Sequence, residues 1–268
     1  MNKCVFAVIL SCATFAAFSG SASHLATAEE VLGKNYKPGS GLRAYWKRYG
    51  GDVRKANSAS GLFVVLNSQK RFSRADFEPA LVRIDKDIHP KYAVKDVESV
   101  KLANPKADIR AAGGNVGVVL ADVPELPALV CGPEDGWAIV NVAALAEGST
   151  NNVQVAARLR KELMRAFALA GGCAFMSRTA IVMSPDVRRP SDLDSLSSEE
   201  YGVEAINALN YLLPSFGITP WKQTSYRAAC EQGWAPEPVN VFQKKIWDEF
   251  HAQPTQPMQI KYDSKKGE

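Results

Sequence analysis

Histidine is scarce in this chain, with three in 268 residues, at 24, 89 and 251. That leaves little for a histidine-rich metal centre or a histidine base. No C-x-x-C pair, Walker loop or G-x-S-x-G elbow occurs, so the usual redox, nucleotide and serine-hydrolase signatures are absent. The net charge is only +4, spread along the sequence, which argues against a nucleic-acid partner. Apart from residues 5–18 there is no long apolar run, and that run is too short for a comfortable membrane span. Internal repeats and low-complexity tracts are also missing. With 46% hydrophobic and 22% charged residues, what remains is an ordinary globular composition.

Residues 1–28 have the pattern of a secretory leader. Lys3 supplies the positive start, the apolar run follows, and Ala26-Thr27-Ala28 makes an A-x-A cleavage site, with Ala22 or Ser23 as earlier options. Ile9-Leu10-Ser11-Cys12 loosely fits a lipid-attachment box, but the apolar run continues past Cys12, so cleavage is the better reading. The expectation is a secreted or periplasmic protein with a formal charge of +3 and three cysteines, Cys131, Cys173 and Cys230. An odd number permits one internal bridge. Cys131 precedes the strand that leads into the longest helix and Cys173 follows that helix, so 131–173 is a reasonable pair, with Cys230 competing for either.

The expected organisation is a leader (1–28), an N-terminal extension (29–60), one α+β domain (61–252) and a polar tail (253–268). In the extension, residues 42–49 read as a short helix with aromatic anchors. Strands are expected at 61–66, 94–102, 115–122 and 137–142, and a helix at 74–87. Residues 126–130 read as a bridge and 132–136 as a turn. Ser197-Ser-Glu-Glu200 has capping-box spacing and predicts a helix to about Leu213. Thr219-Pro220 opens another towards Gln232, and Asn240 with Gln243 opens the last, containing Ile246, Trp247 and Phe250. Trp221, Trp234 and Trp247 read as packing residues, His89 and His251 as surface or capping residues, and Asp192-Leu-Asp194 as loop polarity.

The best helix signal runs from Asn152 to Ala170. Ala156, Leu159, Leu163, Phe167 and Ala170 make one apolar stripe. Gln154, Arg158, Lys161, Glu162 and Arg165 share the other side, and Gly171-Gly172 end the helix. In zincins such a helix carries H-E-x-x-H, so that two imidazoles face one zinc and the glutamate polarises its water. Here the corresponding residues are Lys161-Glu162-Leu163-Met164-Arg165, and only the glutamate survives. With the strands at 115–122 and 137–145, and Ile181-Val-Met-Ser184 further on, the order of elements resembles that of archaemetzincins over roughly residues 61–185. The resemblance implies a zincin-like α+β fold with a mixed sheet, a long central helix and a helical C-terminal region.

The residues themselves argue against a metal: His89 and His251, the histidines left after cleavage at Ala28, lie far from the helix in sequence, and Lys161 and Arg165 stand where the ligands would be. Lysine is a poor zinc ligand unless deprotonated, and arginine is effectively always charged. The expectation is an exported, non-catalytic zincin-like protein without a cofactor. Lys161, Glu162 and Arg165 would be a solvated face or, if the ancestral cleft persists, an electropositive groove for a carboxylate of a peptide or protein. The alternatives are a hydrolase with a non-zinc site and a structural envelope-associated protein with no ligand site.

Overall fold

In the computed structural model, residues 24–33, 61–175, 181–218 and 226–251, apart from 232, 234 and 236, are described. The expected helix at 42–49, the leader before His24, Trp221, Trp234 and the polar tail lie outside them. The chain clusters into two compact units, 1–221 and 222–268.

Six strands form one mixed sheet in the first unit: β1 (Leu25–Thr27), β2 (Phe63–Asn67), β3 (Tyr92–Asp96), β4 (Val116–Ala121), β5 (Leu129–Gly132) and β6 (Trp137–Asn141). Their order is β1-β5-β6-β4-β2-β3. β6, β4, β2 and β3 run parallel, β5 is antiparallel to β6, and β1 is parallel to β5. Helices follow as α1 (Ala28–Leu32), α2 (Arg74–Ile88), α3 (Pro105–Ala111), α4 (Val142–Leu145), α5 (Asn152–Ala170) and α6 (Val203–Leu212).

The apolar runs in β2, β4 and β6 have one physical cause. Both faces of the sheet are covered, so neither set of alternating side chains meets water. Phe63, Val65, Val118 and Leu120 pack with the inner faces of α2 and α5, where Phe63 meets Phe167 at 4.6 Å between ring centroids. Val64, Leu66, Val119, Ile139 and Trp137 face the other way, against Ile109 of α3 and the buried Ala28 of α1. Gly117 admits α3, since a Cβ there would lie 2.6 Å from an Ile109 side-chain carbon.

The structure departs from the sequence expectations in several elements. Residues 25–27, which the sequence reading placed in the leader, form an edge strand paired with β5. The supposed bridge at 126–130 contains the start of β5, whose four residues are all buried. The strand expected at 94–102 lies at 92–96, and α3, capped by Asn104 with Pro105 at its start, follows it. The helix expected from Ser197 begins instead after Gly202. Cys131, Cys173 and Cys230 are all buried free thiols, so the 131–173 bridge is not formed. Cys131 sits in the sheet and Cys173 just beyond the end of α5.

The second unit contains α7 (Tyr226–Glu231) and α8 (Val241–His251). They are joined by a two-pronged pair between Arg227 and Glu249, at 2.9 and 2.6 Å. As expected, Asn240 begins α8, its side chain accepting from the Gln243 backbone at 2.9 Å. Trp247 is half-buried and stacks on His251 at 3.8 Å between ring centroids. His251 and His89 are both exposed at helix ends, His89 in the left-handed region with φ 60°.

Candidate functional site

α5 is long because little in its sequence interrupts it. Alanine, leucine, arginine, lysine, glutamate and methionine dominate, all strong helix formers. Asn151 caps the start by accepting from the Val153 backbone at 3.0 Å. The end comes at Gly171-Gly172, where Gly172 takes φ 87°, a conformation costly to any residue with a Cβ. The helix therefore arrives as predicted, but most of its polar face is closed off from solvent, Gln154 at its start being half-buried. Arg158, Glu162 and Arg165 are almost wholly buried, and Lys161 is 9% exposed.

The polar side chains on that face hold segments from elsewhere in the chain. Arg158 grips Asp194 with two bonds, at 2.9 and 2.7 Å, and donates to the carbonyls of Leu145 and Glu147. Gln154 adds a third bond to the same carboxylate at 2.6 Å. The bonds from Arg158, with help from Gln154, outweigh the upward push of partial burial and keep Asp194 below the usual carboxylate range. Asp194, read from sequence as loop polarity, is thus the anchor of the 3-10 segment Pro190–Ser195. Lys161 Nζ donates to the carbonyls of Leu193 and Leu196, at 2.8 and 3.0 Å, closing that segment over the helix. Arg165 donates to the carbonyls of Val182 and Ser184, at 2.6 and 2.9 Å, so it stitches down the turn that carries the buried Met183. Its guanidinium also lies 4.9 Å from the centre of the Phe175 ring.

Glu162 sits between these cations with no exposed surface. One carboxylate oxygen is 2.9 Å from Nε2 of His24, and both side chains are fully buried. The other is 3.4 Å from Nε of Arg165. That second contact is electrostatic only, because neither Glu162 Oε2 nor Arg165 Nε has a hydrogen-bond partner. Burial on its own would push the Glu162 carboxyl up. The charges of His24 and Arg165 outweigh it and hold the group below its ordinary value. His24 is placed by the backbone of β1: its N–H donates to the Arg188 carbonyl at 3.1 Å and its own carbonyl accepts from Leu129 at 3.0 Å.

Lys161, Glu162 and Arg165 are therefore brought together as the sequence predicted, but as an interior cluster and not as a solvated face or a groove. No anion is needed to satisfy the cations, since Lys161 is bonded to two carbonyls and Arg165 to two more plus the carboxylate contact. His24 is the residue the sequence reading missed. The reading of residues 1–28 as a leader set it aside as a site candidate. The available signal was the alternative cleavage after Ala22 or Ser23, which retains it.

A zinc ion does not fit this donor set. Catalytic zinc takes three lone-pair ligands and leaves one position open. Lys161 is donating to carbonyls and Arg165 is a guanidinium, so neither offers a lone pair. Only one imidazole and one carboxylate remain, and they are bonded to each other. Among the described residues no group of three or more His, Cys, Asp or Glu is arranged to hold a metal.

No protein-family model and no curated protein matches the sequence. Among solved structures the chain is similar to archaemetzincin from Methanopyrus kandleri, with 14% identity and a TM-score of 0.40 over 57% of this chain and 95% of that one. It is also similar to a zinc-dependent peptidase from Methanocorpusculum labreanum, with 12% identity and a TM-score of 0.40 over 56% of this chain and all of that one.

Proposed function

We propose that this chain is an exported, non-catalytic protein of zincin-like architecture. The helix face that would serve a metallopeptidase works here as an internal strut. The observation that carries this is Glu162: its side chain is fully buried, one oxygen bonded to His24 and the other against Arg165. A general base for peptide hydrolysis has to reach a water in a cleft. Glu162 faces protein on every side that the described residues define. The same burial removes the expected peptide-binding groove beside Lys161 and Arg165. The role that remains for the fold is structural, with any partner meeting another surface.

The polar face of α5 is best understood as a clasp. Five residues of one helix, Gln154, Arg158, Lys161, Glu162 and Arg165, fasten the His24 end of β1, the Met183 turn and the 190–196 segment. Buried bonds to charged groups of this kind stabilise by about 1.5–3 kcal/mol each. The enzymatic alternative is tested on the purified protein by metal analysis and by a peptide-cleavage assay. The expected result is zinc well below one equivalent and no cleavage that depends on Glu162. Stoichiometric zinc, or cleavage abolished by Glu162→Gln, would overturn the reading.

A further inference from the structure

The sequence offers export processing three positions: after Ala22, after Ser23 and after Ala28. In each case small residues precede the cut at the first and third places, Gly20 and Ala22, Ser21 and Ser23, or Ala26 and Ala28. Sequence alone favours the last, because it is the cleanest A-x-A. The structure separates them by what each cut would remove.

A cut after Ala28 deletes all of β1. The register pairs Leu25 with Leu129, Ala26 with Val130 and Thr27 with Cys131 would go with it. So would the cap of α1, in which the Thr27 backbone N–H donates to the Glu30 carboxylate at 2.6 Å while Thr27 Oγ1 accepts from the Glu30 backbone. Ala26 and Ala28, each 2% exposed, would leave the core. Above all, Glu162 would lose His24 and keep a buried charge beside Arg165 alone. A cut after Ala22 or Ser23 removes none of this. The His24 N–H donates to the carbonyl of Arg188, itself an exposed residue, and an N-terminal ammonium on His24 can make the same bond.

We propose that leader removal occurs after Ala22 or Ser23, and that the first residues of the mature chain are the edge strand whose His24 closes the buried Glu162 site. The inference rests on the export reading above. Chemically it is one amide hydrolysis by a leader peptidase. Water adds across the Ala22–Ser23 or Ser23–His24 bond, leaving a carboxylate on the leader and an ammonium on the mature chain. The new terminus emerges beside an exposed loop, while the three residues after His24 pair into the sheet.

The test is to express the full chain from Met1 in a bacterium with an export pathway. The product outside the cytoplasm is then identified by intact mass and N-terminal sequencing. The expected first residue is Ser23 or His24, and an Ala22→Leu/Ser23→Leu double variant should accumulate uncleaved. A product beginning at Glu29, from either chain, would refute the placement while leaving export standing. A chain retained whole in the cytoplasm would refute the placement and the export reading together.

Discussion

Replacing His24 by alanine is the sharpest probe of the buried cluster. The wild-type imidazole contacts Glu162 at 2.9 Å with both side chains wholly out of water. In the variant the carboxylate keeps only the Arg165 contact at 3.4 Å, which already lacks hydrogen-bond geometry. Removing one partner of a buried ion pair costs about 3–5 kcal/mol, because a desolvated charge is left behind. For a domain near 200 residues each kcal/mol is worth roughly 2–4 °C, so the midpoint should fall by about 6–20 °C. Urea unfolding at pH 7 measures the change directly, with an unchanged slope showing that the folded state is otherwise the same. A double-mutant cycle then separates pair from packing. Glu162→Gln removes the charge that His24 serves, so the double variant should cost clearly less than the sum of the two single ones. A loss below about 1 kcal/mol, the range of an exposed pair, would show that the contact does not hold β1 in place.

Two further outcomes follow from the same burial. Because His24 and Arg165 hold Glu162 below its ordinary value of 4.5, its contribution to stability is fully present above that pH and is lost as pH falls through the lower, folded value. Stability measured from pH 7 down to pH 3 should therefore drop more steeply in the wild type than in Glu162→Gln, and identical acid limbs would sink the argument. The thiols of Cys131 and Cys173 are each pushed up to about 12, chiefly by burial, with Glu30 and Glu162 adding to the effect at Cys131. Both should resist alkylation at pH 8 in the native protein and react once it is denatured; a peptide in which Cys131 and Cys173 are disulfide-linked would contradict the structure.

Local signals were legible wherever the cause was local. Residues 152–170 form a helix because a 3.6-residue stripe, strong helix formers and a terminal glycine pair all agree. The runs at 63–67, 116–121 and 137–141 form strands because a sheet covered on both faces needs side chains that are apolar in both directions. Asn240 announces α8 through a bond three residues long. The approach of Lys161, Glu162 and Arg165 to one another was equally readable, since helix spacing dictates it.

What surrounds those three residues was not readable, because every hydrogen-bond partner lies at least 17 residues away: Val182 and Ser184 for Arg165, Leu193 and Leu196 for Lys161, and His24, 138 residues distant, for Glu162. Pattern identifies a polar helix face but does not say whether water or protein satisfies it. The same three side chains would suit a solvated surface, a groove or an interior clasp. Their own sequence settled that they share a face. Only the tertiary structure decided that the face is closed, because it brought a short edge strand, a turn and a 3-10 segment over it and matched each buried charge with a bond or an opposite charge.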